Sequence, residues 1–385
     1  MHLQLEEAAL RNSGALHTAR EIEQQPGSWL RTAAAVRERR APLDAFLKPL
    51  LARPELRIIL TGAGSSAFIG ECLAPTLSRS LGRQVLAIPT TDLLSGPHEF
   101  LLPDVPTLLV SFGRSGGSPE SVAVVELAER LLAECHQFII TCNDQGTLYR
   151  RCQGRERNFA LLLPPETHDL GFAMTSSYTS MMLAALLAFG VGGAAFEQQG
   201  LARLCAAANG LLASQGGALR ALAAHNYSRV VYLGSNALKG IAREAALKLL
   251  ELTDGRVVAT YESPLGFRHG PKTIVTADSL LVLLLSNDAY ARRYDLDLLR
   301  ELREDQRAGA VLAISAQTRD RELVGTSLQL AGLAEAADWE LAFAYVLCAQ
   351  LYAFQRALQL GNKPDEPSAS GTVNRVVRGV TIHSL

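Results

Sequence analysis

The sequence predicts an α/β protein that contains two copies of one unit, each a parallel sheet with helices on both faces, preceded by an N-terminal helical arm. Short β-branched runs alternate with segments of helical periodicity along most of the chain. The runs are apolar almost throughout, which is typical of strands buried on both faces of a parallel sheet. The alternation also occurs twice in the same order, and this repetition predicts two copies.

The first run of each copy is followed by the same kind of turn. "LRIILTGAGSSAFIGECLAPTL" and "SRVVYLGSNALKGIAREAALKL" each contain a β-branched run, a glycine, a small hydroxylated turn and a helical pattern. The next runs, "TLLVSFG" and "LLVLLLSND", lie at a similar offset, and the third pair is "FIITCN" and "AVLAIS". Similar order at a similar spacing indicates an internal repeat of one folding unit.

These patterns divide the chain into four segments. Residues 1–50 form a helical arm, broken at Pro26, that we expect to pack on a neighbour, and residues 51–210 and 211–361 are the two copies. Residues 362–385 are rich in proline, glycine and serine, and we expect them to form a tail that closes over the site. The ending "VVRGVTIHSL" is too rich in β-branched residues for a frayed terminus.

Composition excludes several classes of protein. The 385 residues are 48% hydrophobic and 19% charged with a formal net charge of −1, so neither nucleic acid nor a membrane surface is an expected partner. The six cysteines form no CxxC pair, which argues against a metal site. The N-terminus lacks the apolar core of a signal peptide, and the apolar stretches are shorter than the roughly 20 residues of a membrane helix. We therefore expect a cytoplasmic protein.

Three loops rich in small and hydroxylated residues follow predicted strands: "GAGSS", "GRSGGS" and "AMTSSYT". Ligands of open parallel sheets bind at this edge, and amides at helix starts favour anions. The alternative is that the serines only cap helices. The candidate binding residues are Gly64, Ser65, Ser66, Arg114, Ser115, Ser118, Thr175, Ser176 and Ser177. Because no P-loop lysine is present, a small phosphate ester is a better ligand than a nucleoside triphosphate.

One loop also fits a dinucleotide fingerprint. "GAGSSA" matches G-x-G-x-x-G/A between a strand and a helix, but the acidic residue that should follow about 20 positions later is missing, and Asp92 is too distant. We expect no cofactor. An oxidoreductase remains an alternative that rests on this motif alone.

A polar stripe crosses an apolar helical segment in the second copy. Glu244, Lys248 and Glu251 are spaced i, i+4, i+7, which places them on one helix face, and residues 245–247 and 249–250 are apolar. A carboxylate with an adjacent cation can serve in proton transfer. The alternative is a solvated face with ordinary i, i+4 pairing.

These segments resemble the SIS domains that bind phosphorylated sugars. "SFGRSGGSPESV" resembles the serine-rich phosphate loop of that family, although Arg114 stands where glutamine is common and Gly117 where glutamate is common. "AREAALKLLELTDGRVVATYESPLGFRHGP" resembles the isomerase segment of glucosamine-6-phosphate synthase. With "EIEQQPGSW", "TSSYT" and "NRVVRGVTIH", most of the chain resembles the galactosamine-6-phosphate deaminase/isomerases, also called tagatose-6-phosphate ketose/aldose isomerases.

The resemblance implies two tandem SIS domains, each a three-layer αβα sandwich, and an enzyme of amino sugar catabolism. The implied reaction converts D-galactosamine 6-phosphate and water to D-tagatose 6-phosphate and ammonia, without metal or cofactor. Glu251 is implied as the C1/C2 proton-transfer base, with Lys248 beside it. His269 is implied in ring opening, supplied by the neighbouring subunit of a homodimer or a higher homo-oligomer. Arg378 stands in place of a lysine of the synthase, so it can supply only a fixed charge near sugar hydroxyls.

The sequence is compatible with several alternatives. The same residues could catalyse simple aldose–ketose isomerisation, act on the gluco epimer, or form a non-catalytic sugar-phosphate sensor. Glu251 and His269 together favour an enzyme. Because no glutaminase segment precedes the first copy to supply ammonia, we expect hydrolysis to be the favoured direction.

Overall fold

The N-terminal arm is helical, as predicted. The computed structural model describes residues 1–377 and 379–385. Its first helices are α1 (Glu7–Asn12), α2 (Leu16–Glu23), α3 (Gln25–Glu38) and α4 (Arg40–Leu51). Pro26 lies in the first turn of α3, where a missing N–H breaks no helical hydrogen bond, so it starts a new helix where the pattern predicted a break.

The first sheet contains five parallel strands in the order β2-β1-β3-β4-β5. The strands are β1 (Arg57–Thr61), β2 (Val85–Ala87), β3 (Thr107–Gly113), β4 (Cys135–Thr141) and β5 (Asn158–Leu162). The helices of this part of the chain are α5 (Ser65–Leu81), α6 (Thr90–Ser95), α7 (Pro97–Phe100), α8 (Pro119–Leu131), α9 (Thr147–Cys152), α10 (Ser176–Ala188) and α11 (Gly193–Ala195). A 3₁₀ turn spans Pro165–Thr167 and a π-helical turn spans Phe196–Gly200.

The core of the first sheet follows from the apolar runs. Ile59 of β1 pairs in register with Leu109 of β3, and both are fully buried beneath Val124 of α8. Every residue of α10 is buried, which fits a helix that is apolar on all sides. Burial of this kind stabilises by roughly 25 cal/mol for each Å² of apolar surface removed from water.

The second sheet contains five parallel strands in the order β10-β9-β8-β6-β7. The strands are β6 (Arg229–Gly234), β7 (Val258–Glu262), β8 (Ser279–Leu284), β9 (Ala310–Ser315) and β10 (Ser327–Gln329). The helices are α12 (Leu201–Ser214), α13 (Gly216–Ala224), α14 (Ala237–Leu252), α15 (Pro264–Phe267), α16 (Ala289–Asp305) and α17 (Asp338–Gln359). Further 3₁₀ turns lie at Pro271–Ile274 and Arg321–Leu323.

Both sheets have the same topology. Each begins with its second-from-edge strand (β1 or β6), places the next strand at the edge beside it, and then continues on the other side through three further strands. The direction of winding therefore reverses between β1 and β3 and between β6 and β8, and ligands of such sheets bind at this reversal. The prediction of two parallel α/β units with flanking helices is confirmed.

The chain divides into two units that are each discontinuous in sequence. The first-sheet unit comprises residues 27–169, 176–198 and 373–385, and the second-sheet unit comprises residues 1–26, 170–175 and 199–372. Segments of the arm and of the tail thus belong to both units. The boundaries at residues 50, 210 and 361 remain a prediction about domains.

The longest helix, α17, is more apolar than the sequence patterns indicated. By length and composition alone it could cross a membrane, but 94% of its most apolar window is buried inside the protein. A core helix of a globular protein has the same properties.

Candidate active site

The serine-rich loop after β3 is held in place by the segment that follows β4. The Thr141 hydroxyl donates to the Gly113 carbonyl oxygen (2.6 Å), and the Asn143 amide Nδ2 donates to the Ser115 carbonyl oxygen (2.8 Å). Gly116 has φ +59°, and a Cβ there would lie 3.0 Å from Oγ1 of Thr141, so both its conformation and its surroundings require glycine. These contacts within the protein fix the backbone of the loop.

Two carbonyl oxygens of this loop accept hydrogen bonds within the protein, but several of its backbone amides donate none within the described part of the chain. The backbone N–H groups of Ser115, Gly116 and Ser118 make no hydrogen bond to any residue that the structure describes. Ser118 precedes α8 without capping it, and its hydroxyl instead donates to Oγ of Ser121 (2.7 Å). A cluster of unused amides at a helix start is an anion-binding arrangement. The alternative, in which the serines of this loop only cap the helix, therefore does not apply to Ser118.

The equivalent loop of the second copy is closed by the protein's own carboxylates. After β8, the Ser286 amide donates to Asp295 (2.9 Å) and the Asn287 amide donates to Asp338 (2.7 Å). Asp288 caps α16 by accepting from the amides of its first turn, at 3.0 and 2.9 Å. Three negative groups therefore occupy the place where the first copy has open amides, and a phosphate would be repelled there.

Asp295 is strongly affected by its position in this second loop. Burial raises the pKa of its carboxyl to about 6, although hydrogen bonds from Ser235 and from the Ser286 amide oppose the shift. Nearby Asp338 raises the pKa further, and Arg292 lowers it. In the second copy, carboxylates of the protein itself thus accept the hydrogen bonds that loop amides could otherwise donate to an external anion.

The first copy, in contrast, gathers cationic groups beside its loop. Arg114 is buried, and its Nη2 donates to the carbonyl oxygen of Arg375 in the tail (2.7 Å). The Arg375 guanidinium in turn donates from Nε to the carbonyl oxygen of Asp169 (3.0 Å). Burial lowers the pKa of the neighbouring His168, and the charges of Arg375 and Arg114 lower it further. The loop therefore lies in positive surroundings, which favour an anion.

The predicted third loop is arranged around Asp169. Its fully buried carboxylate accepts hydrogen bonds from the Ser176 hydroxyl, from the Ser177 hydroxyl (2.5 Å) and from the Ser177 amide (2.9 Å). The start of α10 is thus capped from outside by a carboxylate. Ser176 and Ser177 remain predicted binding residues, but their hydroxyl protons are directed at Asp169. Thr175 is also buried.

The remaining predicted loop follows β1 and begins α5. Gly64 stands just before the helix with φ +57°, which glycine adopts without strain, and Ser65 and Ser66 are buried in the first turn. Since β1 and β3 are adjacent, the same edge of the first sheet carries this loop and the loop of Ser115 and Ser118.

The polar stripe of α14 is buried, so the alternative of a solvated helix face is wrong. Lys248 is fully buried with its Nζ 3.4 Å from Oε1 of Glu244, which is also fully buried. The same Nζ donates to Oε2 of Glu251, whose side chain is 23% exposed. Oε1 of Glu251 makes no hydrogen bond within the described part of the chain. One carboxylate oxygen is therefore fixed by a cation and the other is available.

His269 lies on a loop that is anchored on both sides. Phe267 before it is fully buried, and the Arg268 guanidinium pairs with Glu301 (2.8 Å). Gly270 after it has φ +123°, a conformation that non-glycine residues avoid. The His269 side chain is exposed and makes no hydrogen bond to any described residue. A rigid loop thus presents a free imidazole at the surface.

Sequence reasoning assigned no binding or catalytic role to three residues that organise the first copy. Asn143 carried no motif, Arg375 was not singled out within "NRVVRGVTIH", and Asp169 lies seven positions before Ser176, too far for a capping-box pattern. The predicted site residue Arg378 lies outside the described residues. Within residues 1–377 and 379–385, no group of three or more His, Cys, Asp or Glu side chains could hold a metal ion.

Comparison with known proteins identifies the family. The model of the SIS domain matches residues 50–190. The chain is 48% identical over 370 residues to the D-galactosamine-6-phosphate deaminase AgaS of Escherichia coli, with 95% of each chain covered. The chain belongs to the AgaS family of SIS-domain enzymes.

Further relatives agree with this membership of the AgaS family. The D-galactosamine-6-phosphate deaminase AgaS of Shewanella sp. (strain ANA-3) is 45% identical over 385 residues, with 99% of this chain and 95% of the relative covered. The crystal structure of tagatose-6-phosphate ketose/aldose isomerase from Escherichia coli superposes with a TM-score of 0.89 at 43% identity, covering 99% of this chain and 98% of that one. The resemblance predicted from the motifs is confirmed.

Proposed function

We propose that this enzyme converts D-galactosamine 6-phosphate and water to D-tagatose 6-phosphate and ammonia. The observation that carries the proposal is the contrast between two loops at equivalent places. Three amides are open after β3, whereas carboxylates fill the loop after β8. This asymmetry supports binding of one phosphate per chain, at the first copy. The names of the AgaS relatives supply the identity of the sugar.

In this proposal the 6-phosphate binds the loop of Ser115 and Ser118. The amides donate to phosphate oxygens, the two hydroxyls add further hydrogen bonds, and Arg114 contributes charge. Hydrogen bonds to a charged partner stabilise by about 1.5–3 kcal/mol each, and the helix dipole of α8 contributes about 0.3–1 kcal/mol. Several such bonds therefore suffice for the roughly 4 kcal/mol of millimolar binding.

Glu251 is the proposed base. After ring opening, its carboxylate removes the C2 proton of the amino sugar and leaves a 1,2-enolamine. Return of that proton to C1 gives a ketose imine, which water hydrolyses to the ketose and ammonia. The available Oε1 suits this role because the same atom can take the proton and return it. Lys248 holds Oε2 and thereby fixes the orientation of the carboxylate.

His269 is the proposed proton carrier in ring opening. An imidazole has an ordinary pKa near 6.5, so it can donate to and accept from a ring oxygen near neutral pH. We further propose a homodimer in which His269 acts at the site of the neighbouring subunit. The exposure of His269 on a rigid loop supports this assignment, since a free and ordered imidazole can contact a second chain.

The proposal also covers the finer properties of the enzyme. The substrate is a small phosphorylated amino sugar, the net reaction is hydrolytic, and proton transfer of this kind requires no metal, nicotinamide or nucleotide. The enzyme acts in the cytoplasm and catalyses a step in the catabolism of N-acetylgalactosamine and galactosamine. Gly64, Ser65, Ser66, Thr175, Ser176, Ser177 and Arg378 are the remaining proposed substrate contacts.

A simple aldose–ketose isomerase is the second candidate, and the name of the structural relative favours it. Purified protein without added cofactor should be assayed for ammonium release from the galacto and gluco amino sugar phosphates. Interconversion of tagatose 6-phosphate with its aldose is measured in parallel. The proposal is supported if ammonium release from the galacto epimer is faster than release from the gluco epimer and faster than aldose–ketose interconversion. The second candidate is supported if aldose–ketose interconversion is faster than ammonium release.

A further inference from the structure

The C-terminal tail contains a residue that links two parts of the first copy. The side chain of Arg375 binds Asp169, and its backbone binds Arg114. The guanidinium donates from Nε and Nη2 to the Asp169 carbonyl oxygen, and the Arg375 carbonyl oxygen accepts from Nη2 of Arg114. All three residues belong to the first-sheet unit.

Asp169 is a rigid anchor for this link. Its side chain is fully buried, and its two carboxylate oxygens bind Ser176 and Ser177 at the start of α10. The backbone of Asp169 therefore has little freedom, and its carbonyl oxygen offers a fixed acceptor. Two guanidinium hydrogen bonds to one fixed carbonyl define where the tail lies at Arg375.

Arg114 depends on the tail for its own orientation. It is the first side chain after β3 in the serine-rich loop, and its Nη2 bond to Arg375 is 2.7 Å long. A guanidinium presents five N–H donors in a planar fork, so a hydrogen bond to one of them restricts the directions of the others. The tail can in this way determine which donors of Arg114 are directed toward an anion at the loop amides.

We propose that Arg375 is a positioning residue that fastens the tail to Asp169 and orients Arg114 for binding the phosphate of the substrate. The proposal rests on the proposed function, because it assigns the phosphate to the loop of Ser115 and Ser118.

The test compares Arg375→Ala and Arg375→Lys with a matched control, Arg83→Ala. The Arg83 guanidinium also donates to backbone carbonyls, those of Arg53 (2.7 Å) and Leu51 (2.8 Å), in the same unit. Affinity for inorganic phosphate is measured by calorimetry, and kcat and KM are measured by ammonium release. Thermal unfolding of each variant reports whether the fold is retained.

We expect Arg375→Ala to weaken phosphate binding and raise KM by at least about tenfold, with a smaller change in kcat. Arg375→Lys should recover part of the affinity, because an ammonium can donate to the same carbonyl. Arg83→Ala should match the wild type in both binding measurements. A purely structural role would lower the melting temperature of both alanine variants without this specific loss.

Two results would overturn the inference, and they are distinguishable. If the wild type binds inorganic phosphate and Arg375→Ala binds it within twofold, the positioning role is wrong while the phosphate site stands. If the wild type does not bind phosphate at millimolar concentration and Ser115→Ala leaves KM unchanged, the phosphate assignment fails together with the inference.

Discussion

Lys248 lies fully buried with its ammonium 3.4 Å from the carboxylate of Glu244, and the same ammonium donates to Glu251. A buried cation between two carboxylates offsets the cost of desolvating each of them. Glu244 and Lys248 form a fully buried pair, whereas the carboxylate of Glu251, bound to the same ammonium, is partly exposed. This relationship holds the α14 stripe together and leaves the Glu251 carboxylate partly exposed.

The first prediction concerns this internal pair. Lys248→Met should destabilise the protein by about 3–5 kcal/mol, since the fully buried Glu244 would lose the ammonium that lies 3.4 Å from its carboxylate. The double variant Glu244→Gln with Lys248→Met should recover much of that loss, because the buried carboxylate charge is removed together with the ammonium. Urea unfolding of both variants measures the difference. A single variant within about 1 kcal/mol of the wild type would show that the pair contributes little.

The second prediction concerns the phosphate loop. Replacing Ser115 and Ser118 with alanine should raise KM at least about tenfold, equivalent to about 1.4 kcal/mol, because two hydrogen bonds to the phosphate are lost. Ser214→Ala is the control, as its hydroxyl donates to the Gly210 carbonyl oxygen at an exposed position of α12. An unchanged KM in the double variant would place the phosphate elsewhere.

The third prediction concerns subunit sharing. His269→Ala and Glu251→Gln proteins should each be inactive, and mixing them should restore part of the activity, because mixed dimers contain one site with both intact residues. Native mass spectrometry establishes that mixed dimers form. If they form and no activity returns, each subunit supplies its own histidine.

The fourth prediction concerns pH and Asp295. Its folded pKa of about 6 lies above the ordinary 3.8, so the folded state binds its proton more tightly than the unfolded state does. The resulting stabilisation is fully present below about pH 4 and is lost as pH rises through about 6. The free energy of unfolding of the wild type, relative to Asp295→Asn, should therefore fall by about 2 kcal/mol between pH 4 and pH 7.

This comparison requires a probe of the second-sheet unit. The chain has two tryptophans, and Trp29→Phe leaves Trp339, which directly follows Asp338 in α17. Urea unfolding of both proteins in that background, followed by fluorescence, gives the required free energies. A difference that stays constant with pH would mean that Asp295 titrates alike in the folded and unfolded states.

Much of this organisation could be predicted from local patterns. Apolar runs mark strands because both faces of a parallel sheet are buried, and the repeated order of runs predicted the two sheets. The spacing of Glu244, Lys248 and Glu251 placed them on one helix face. In each case the information lies within one segment of chain.

What could not be predicted depends on contacts between distant segments. Asp338 reaches the loop of Asn287 from 51 positions away, and Arg375 reaches Asp169 from 206 positions away. Asp288 is close in sequence, but nothing around Ser286 indicates that Asp295 and Asp338 accept hydrogen bonds from the amides of that loop. The burial of the α14 stripe likewise follows from packing that no local periodicity reports, so the spacing alone is also compatible with a solvated face.

The most direct test of the central claim is ammonium release from D-galactosamine 6-phosphate by the wild type and by Glu251→Gln, without added cofactor. Glutamine keeps the shape of the side chain but cannot accept the C2 proton, and general base catalysis is typically worth about 10²–10⁴-fold. We predict that the wild type releases ammonium with tagatose 6-phosphate in equal amounts. Glu251→Gln should bind inorganic phosphate as the wild type does while kcat falls at least about a hundredfold. A kcat reduced less than about tenfold, or a wild type that releases no ammonium, would contradict the account.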